Sequence, residues 1–320
     1  MMDQAILDFA KQFAYKPQIQ NAAGLKRANR YIIAGMGGSH LSGDLLKTRK
    51  PELQIIIHSD YGLPVVENPK ESLIIASSYS GNTEETLDAF EMAYTKNMPL
   101  AAISIGGKLM SRAKKYGVPY IQLPDTGIQP RSALGFSIMA LCSMMNEREL
   151  QNELSVLSVQ LKPDLIEDQG RSLAMRLKKR VPIIYTSSRN RAVAYNWKIK
   201  FNETGKIPAF YNVFPELNHN EMNGFDVKES TRALSEIFYC IILKDASDDA
   251  RIQKRMMVLE NQYKERGMPV ESFEMKGETE FYKIFSSLIT ADWAAFHIAK
   301  LYGVEPELVQ MVEEFKGLME

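Results

Sequence analysis

Short, nearly unbroken apolar runs punctuate this chain: YIIAGM at 31–36, LQIIIH at 53–58, SLIIAS at 72–77, PLAAISI at 99–105 and VPYIQL at 118–123. Amphipathic stretches, notably 83–96 and 108–116, separate several of them. A strand wetted on one face alternates polar and apolar residues, whereas a strand buried on both faces reads as a continuous hydrophobic run. The pattern therefore predicts a parallel sheet covered by helices on both sides. Residues 132–180 read almost wholly as helix, and then the pattern restarts with VPIIYTSS at 181–188 and a helical NRAVAYNWKIKFNE. Further strands are expected at 207–213, 233–243 and 268–275, with helices over 248–266, 279–302 and 306–318. The expected fold class is α/β. Two domains, 1–150 and 151–320, each form a mainly parallel sheet in a three-layer αβα sandwich, joined through the helical block. What repeats is architecture, and the chain has no solenoid-type sequence period.

Composition removes several classes of function. Among 320 residues, Lys and Arg total 39 and so do Asp and Glu, so no net charge steers the chain to nucleic acid or an acidic membrane. No apolar run is long enough to span a bilayer, and the N-terminus lacks a signal-peptide core. A cytoplasmic location is expected. Cys142 and Cys240 lie in apolar surroundings and read as small buried hydrophobes. No His, Cys, Asp or Glu spacing suits a metal, and no cofactor is expected.

The strongest local signal is SSYSGNTEET at 77–86, which follows an apolar run and opens a helix. Ser78, Ser80 and Thr83 offer hydroxyls within one turn, and Gly81 lets the backbone curl closely around a ligand. Free N–H groups and a partial positive charge at a helix start suit a phosphate. The bland alternative is an ordinary helix start, capped by Asn82 with Glu85 reaching back. GMGGSHLSGD at 35–44 has the same strand–glycine–serine–helix logic, and no Walker lysine follows either turn. The pair suits a phosphomonoester better than a nucleoside triphosphate. The glycine spacing also fails the dinucleotide fingerprint.

The S-x-S-G-x-T-x-E-T core at 78–86 resembles the phosphosugar motif of SIS (sugar isomerase) domains. GMGGS at 35–39, PRSALGF at 130–136, AYNWKIKFNE at 194–203 and FPELNHNEMNGF at 214–225 follow in order along both halves. With them the whole chain resembles the bifunctional phosphoglucose/phosphomannose isomerases, which carry two SIS domains. The resemblance implies an aldose–ketose isomerase acting on hexose phosphates through an enediol, and needs no cofactor. It implies phosphate and sugar binding by Gly38, Ser39, Ser78, Ser80, Thr83 and Arg131. Glu203 matches the family's catalytic base, His219 the ring-opening histidine, Arg131 the arginine near the enediolate, and Lys316 a functional lysine close to the C-terminus. Lys300 is the rival for that last role. In this superfamily the His219 loop serves a neighbouring subunit's site, which implies a homodimer.

The residue types agree with these roles. Imidazole titrates near neutral pH and can pass a proton to a ring oxygen, and Glu216, Asn218, Asn220 and Glu221 crowd His219 as candidates to fix its tautomer. Glu203 ends a helix, where a carboxylate is opposed by the dipole unless Lys198, Lys200 or Lys206 compensates. His40 stands where the family has a small residue, and TSSRNRAV at 186–193 is poorer in glycine than its relatives. Both bear on which sugar is taken. Two other functions remain open at this level: a non-catalytic phosphosugar-binding regulator, and an isomerase or epimerase for another phosphosugar.

Overall fold

The computed structural model describes residues 1–319. By its own contacts the chain divides into two units: Asp8–Leu161, and Met1–Leu7 together with the chain from Lys162 onward.

The first unit holds five strands, β1 (Arg30–Ala34), β2 (Gln54–His58), β3 (Ser72–Ser77), β4 (Leu100–Ser104) and β5 (Tyr120–Gln122), one for each apolar run of the first half. All pair in parallel in the order β2-β1-β3-β4-β5. Every residue of β3 and β4 is buried, as continuous apolar runs require. Ile32, Ile74 and Ala102 form one core with Phe90 and Ala93 of one flanking helix and Leu109 and Ala113 of another. In chain order the helices are a short α1 (Met2–Leu7, in the second unit), α2 (Gly38–Arg49), α3 (Glu84–Thr95), α4 (Gly107–Tyr116), α5 (Leu134–Met145) and α6 (Arg148–Gln160). The boundary expected at 150 falls inside α6, which belongs whole to the first unit.

The second unit is a four-stranded parallel sheet, β6 (Val181–Ser187), β7 (Phe210–Phe214), β8 (Phe238–Lys244) and β9 (Val270–Glu274), ordered β7-β6-β8-β9. Its helices are α7 (Pro163–Arg176), α8 (Arg191–Glu203), the single turns α9 (Glu221–Gly224) and α10 (Arg232–Ser235), then α11 (Ala250–Glu265), α12 (Glu280–Tyr302) and α13 (Gln310–Met319). Buried α12 is the spine. Gly170 lets α7 cross it closely, since a Cβ there would lie 2.4 Å from that of Trp293. The Trp293 indole donates to the Pro163 carbonyl, the Trp197 indole to Ser287, and Lys200 of α8 meets Asp292 at 2.6 Å with both side chains buried.

Two strands begin later than expected. ALSEIFYCIIL at 233–243 is largely apolar, yet pairing with β6 starts only at Val181↔Phe238, and Leu234 sits on α10, 72% exposed. Likewise β7 starts at Phe210, beyond Pro208, which has no N–H for a ladder. The C-terminal helix starts at Gln310 instead of 306.

Candidate active site

In an open parallel sheet, ligands bind beyond the carboxyl ends of the strands, where the chain reverses its direction of winding. In the first unit that switch point lies between β1 and β3, because β2 was added on one side of β1 and β3 on the other. The two serine-bearing turns singled out by sequence follow these two strands, so sheet order alone makes them neighbours.

Hydrogen bonds knit the two turns together. Ser77 Oγ donates to the Ser39 carbonyl at 3.0 Å, and the Tyr79 N–H donates to Ser39 Oγ at 3.0 Å. Gly35 is needed for this approach, since a Cβ would lie 2.5 Å from the Ser77 carbonyl oxygen. Ser78 is buried; its hydroxyl accepts from the Gly81 N–H at 3.0 Å and lies 2.8 Å from Thr83 Oγ1. Ser78 thus braces the turn, Ser80 is exposed at its tip, and Thr83 stands half-buried at the N-cap of α3 without a side-chain bond into the helix. The alternative in which Asn82 caps α3 is not what the structure has: Asn82 Oδ1 accepts from the Lys108 N–H at 3.1 Å, tying the turn to the start of α4. Gly81 has φ +74°, and a Cβ on it would lie 1.9 Å from the Gly106 carbonyl oxygen. Gly81→Ala is therefore expected to push the cradle open and raise KM for a hexose phosphate by about tenfold or more, consistent with roughly 1–3 kcal/mol of backbone strain. Steady-state kinetics check this; an unchanged KM would mean the turn does not hold the phosphate.

Arg131 belongs to the same assembly. It sits in a single 3-10 turn, Pro130–Ser132, and is 2% exposed, so it is not a solvated arginine at a helix start. A Cβ on Gly38 would lie 3.1 Å from Pro130 and 3.2 Å from the Arg131 nitrogen, so glycine lets the first turn of α2 rest directly on this backbone. Sequence reasoning missed what holds the turn. Buried Gln12 donates to the Ser132 carbonyl at 2.7 Å and accepts from the N–H groups of Gly135 and Phe136 at 3.0 and 3.3 Å. It caps α5 from more than a hundred residues away. Gly38, Ser39, Ser78, Ser80, Thr83 and Arg131 are thus gathered at one end of one sheet.

The second unit carries Glu203, His219 and Lys316 on three separate elements. Glu203 is the half-buried last residue of α8. Of the lysines expected to offset the dipole there, Lys200 is committed to Asp292 and Lys198 lies over the Tyr195 ring. Lys206 is the one that reaches the carbonyls: its ammonium donates to the backbone oxygens of Glu203 and Leu308. Its contact with the Glu203 carbonyl, the end of α8, offsets the negative end of the helix dipole.

His219 ends the 3-10 turn Glu216–His219 and is exposed. It lines a surface depression with Asn218, Asn223, Asp226 and Arg266. The tautomer-fixing partners expected from sequence are all engaged elsewhere among the described residues. Asn220 donates to Glu216, Asn218 accepts from Arg255, and Glu221 accepts from Tyr185 and Asn212. Lys316 lies on fully exposed α13 and pairs with Glu313 at 2.7 Å, while its rival Lys300 stands over the Phe296 ring at 4.4 Å. His40 is buried on α2, with Nδ1 2.7 Å from Asp44. His58 and His297 bond the Gly62 carbonyl and Glu167, in structural roles.

The second sheet has its own switch point, between β6 and β8, and there the chemistry is opposite. Asp245, after β8, meets Lys283 at 2.9 Å and Arg189 at 3.4 Å, and Arg189 reaches Glu280 at 2.9 Å. Burial acts to raise the Asp245 pKa, but the Ser247 N–H, Lys283 and Asn190 outweigh it and hold the carboxyl below its usual range. Burial pushes Asp248 upward, with Asp245 and Glu280 adding to the rise. With the cations spent on carboxylates, this crevice offers little to an anion, and the hydroxyls of the first unit are the better candidate for a phosphate.

Two parallel sheets flanked by helices, with serine- and threonine-bearing turns at a switch point, define a two-domain protein of the SIS class. The bacterial phospho-glucose isomerase C-terminal SIS domain family matches residues 166–319. A bifunctional phosphoglucose/phosphomannose isomerase from Caldicellulosiruptor bescii is 34% identical, covering 90% of this chain and 89% of that one. Another, from Thermoplasma volcanium, is 33% identical over 90% of each. The crystal structure of a glucosamine-6-phosphate deaminase from Thermotoga maritima superposes with a TM-score of 0.70 over 96% of both chains at 16% identity, a likeness of fold alone. The chain belongs to the bifunctional phosphoglucose/phosphomannose isomerase family.

Proposed function

We propose that this protein interconverts glucose 6-phosphate, and mannose 6-phosphate as well, with fructose 6-phosphate. The two aldoses differ only at C2 and share one enediol, so a site that forms the enediol from one can form it from the other. In this scheme Ser39, Ser78, Ser80, Thr83 and the backbone at Gly38 hold the phosphate. His219 gives a proton to the ring oxygen and takes one back from the C1 hydroxyl, so the C1–O5 bond breaks as the C1 carbonyl forms. Glu203 then takes the C2 proton of the open-chain aldose and returns one to C1, and Arg131 steadies the negative charge that develops on the oxygens between. Lys316 is placed with these groups through its position near the C-terminus. A homodimer in which His219 serves the neighbouring subunit accounts for an exposed imidazole with no side-chain partner among the described residues.

The observation that carries this proposal is the hydroxyl cradle at the β1/β3 switch point, together with membership of the family. The two units are proposed to be the two SIS domains, each with its own sheet. A place in glycolysis and gluconeogenesis follows from the substrates. Cytoplasmic residence fits two buried, free cysteines; no helix among the described residues is long and apolar enough to cross a membrane.

The test is deuterium incorporation in D2O, followed by NMR across a panel of hexose phosphates. Exchange at C2 of glucose and mannose 6-phosphates, with fructose 6-phosphate appearing, is the expected result. Binding without exchange would make the protein a phosphosugar-responsive regulator, and exchange confined to another sugar would reassign the substrate.

A further inference from the structure

The residue two places after His219 is a carboxylate that reaches from its loop into the sheet. Glu221 accepts a hydrogen bond from the Tyr185 hydroxyl at 2.5 Å on one oxygen and from the Asn212 amide on the other. Tyr185 on β6 and Asn212 on β7 are direct cross-strand partners, so a single carboxylate spans one rung of the ladder. The amide orientation is set, because Asn212 Oδ1 accepts from the Val213 N–H at 2.8 Å, which leaves its NH2 facing Glu221. On the other side of His219, Leu217 is fully buried in the hydrophobic cluster of Tyr185, Phe214 and Met256.

We propose that Glu221 is a positioning residue for the isomerase reaction: with Tyr185 and Asn212 it clamps the loop so that His219, held between this clamp and the Leu217 peg, is presented at a fixed place. This rests on the ring-opening role of His219 proposed above. An exposed imidazole without a side-chain partner among the described residues has only its backbone to place it. A group that moves by about 1 Å can lose on the order of a hundredfold in rate. Two neutral donors on a half-buried carboxylate are a poor way to gain stability alone, since apolar packing does that as well or better. They are a good way to fix a loop, because the donors lie on two strands and only one loop position satisfies both.

The test is a donor–acceptor swap combined with a double-mutant cycle. Glu221→Gln offers one acceptor to two donors, so whichever way its amide turns, either the Asn212 NH2 or the Tyr185 hydroxyl proton loses its partner. The change is expected to lower kcat/KM for glucose 6-phosphate about ten- to a hundredfold while the protein stays folded by circular dichroism. Adding Asn212→Asp restores the pattern. The new glutamine amide then donates to the new aspartate, and its carbonyl accepts from Tyr185. The aspartate's second oxygen still accepts from the Val213 N–H. Activity should return to within a few-fold of wild type. In a His219→Ala background, Glu221→Gln should cost nothing further. The proposal fails if Glu221→Gln is as active as wild type, if the folded double variant is not rescued, or if the loss persists without His219. If Glu221→Gln does not fold, Tyr185→Phe removes one donor at constant shape and carries the same cycle. A His219→Ala variant as active as wild type would sink the ring-opening role itself; an impaired one beside an unimpaired Glu221→Gln would sink only the clamp.

Discussion

Glu203→Gln is expected to lower kcat for glucose 6-phosphate by about 10³-fold or more, with phosphosugar binding retained. A positioned general base contributes roughly 10²–10⁴-fold, and glutamine keeps the shape of the side chain while removing its ability to carry a proton. Binding should survive because the proposed phosphate cradle of Ser39, Ser78, Ser80 and Thr83 draws on other elements and is braced by its own hydrogen bonds. The helix end should also survive, since Lys206 caps it at a backbone oxygen that the substitution leaves in place. A coupled assay for turnover and calorimetry for binding decide the matter. Retained turnover would remove Glu203 from the chemistry, and lost binding would move it into the phosphate site.

The largest expected effect on stability lies one helical turn away. Lys200 and Asp292 are buried, with side chains 2% and 6% exposed, and meet at 2.6 Å. Deleting one partner strands the other charge in a medium that solvates it poorly. Asp292→Ala should therefore destabilise the protein by about 3–5 kcal/mol in a urea titration. The double replacement Lys200→Met with Asp292→Leu should recover most of that loss, because apolar side chains of similar volume fill the space without desolvated charge. Equal losses from the single and double variants would show that shape, and not charge pairing, holds α8 to α12. Glu203 rides on α8, so the single variant should also lose activity in step with the unfolded fraction.

The fold was largely legible in the chain. Each segment expected to be a strand became one; β3 and β4 read as nearly unbroken runs because both faces are covered, whereas β9, VESFE, has no fully buried residue and alternates apolar with polar instead. The errors came where apolarity continued past the pairing, as at Leu234, which follows the same hydrophobic run yet lies outside the ladder of β8. Periodicity reports what a segment can bury, not where a neighbouring strand begins. At the site, the two serine-bearing turns were legible because their chemistry is local: glycine, hydroxyls and a helix start lie within a few residues. The roles within the turns were less so, since Asn82 binds the next turn instead of capping its own helix, and Ser78 faces inward.

The sequence by itself determined two α/β units and a turn with hydroxyls and free N–H groups of the kind a phosphate needs, and it put forward the carboxylate, imidazole and guanidinium proposed for the chemistry. Each of those follows from residue type, local spacing or likeness to relatives. Only the tertiary structure decided which groups hold them in place: Gln12 under the Arg131 turn, Lys206 at the end of α8, Tyr185 and Asn212 beneath Glu221. It also decided that the second switch point is occupied by Asp245, Lys283, Arg189 and Glu280. Some of these partners are more than a hundred residues apart, and folding brings them together. Hydrogen bonds and ion pairs act over about 3 Å of space, for which distance along the chain is no guide.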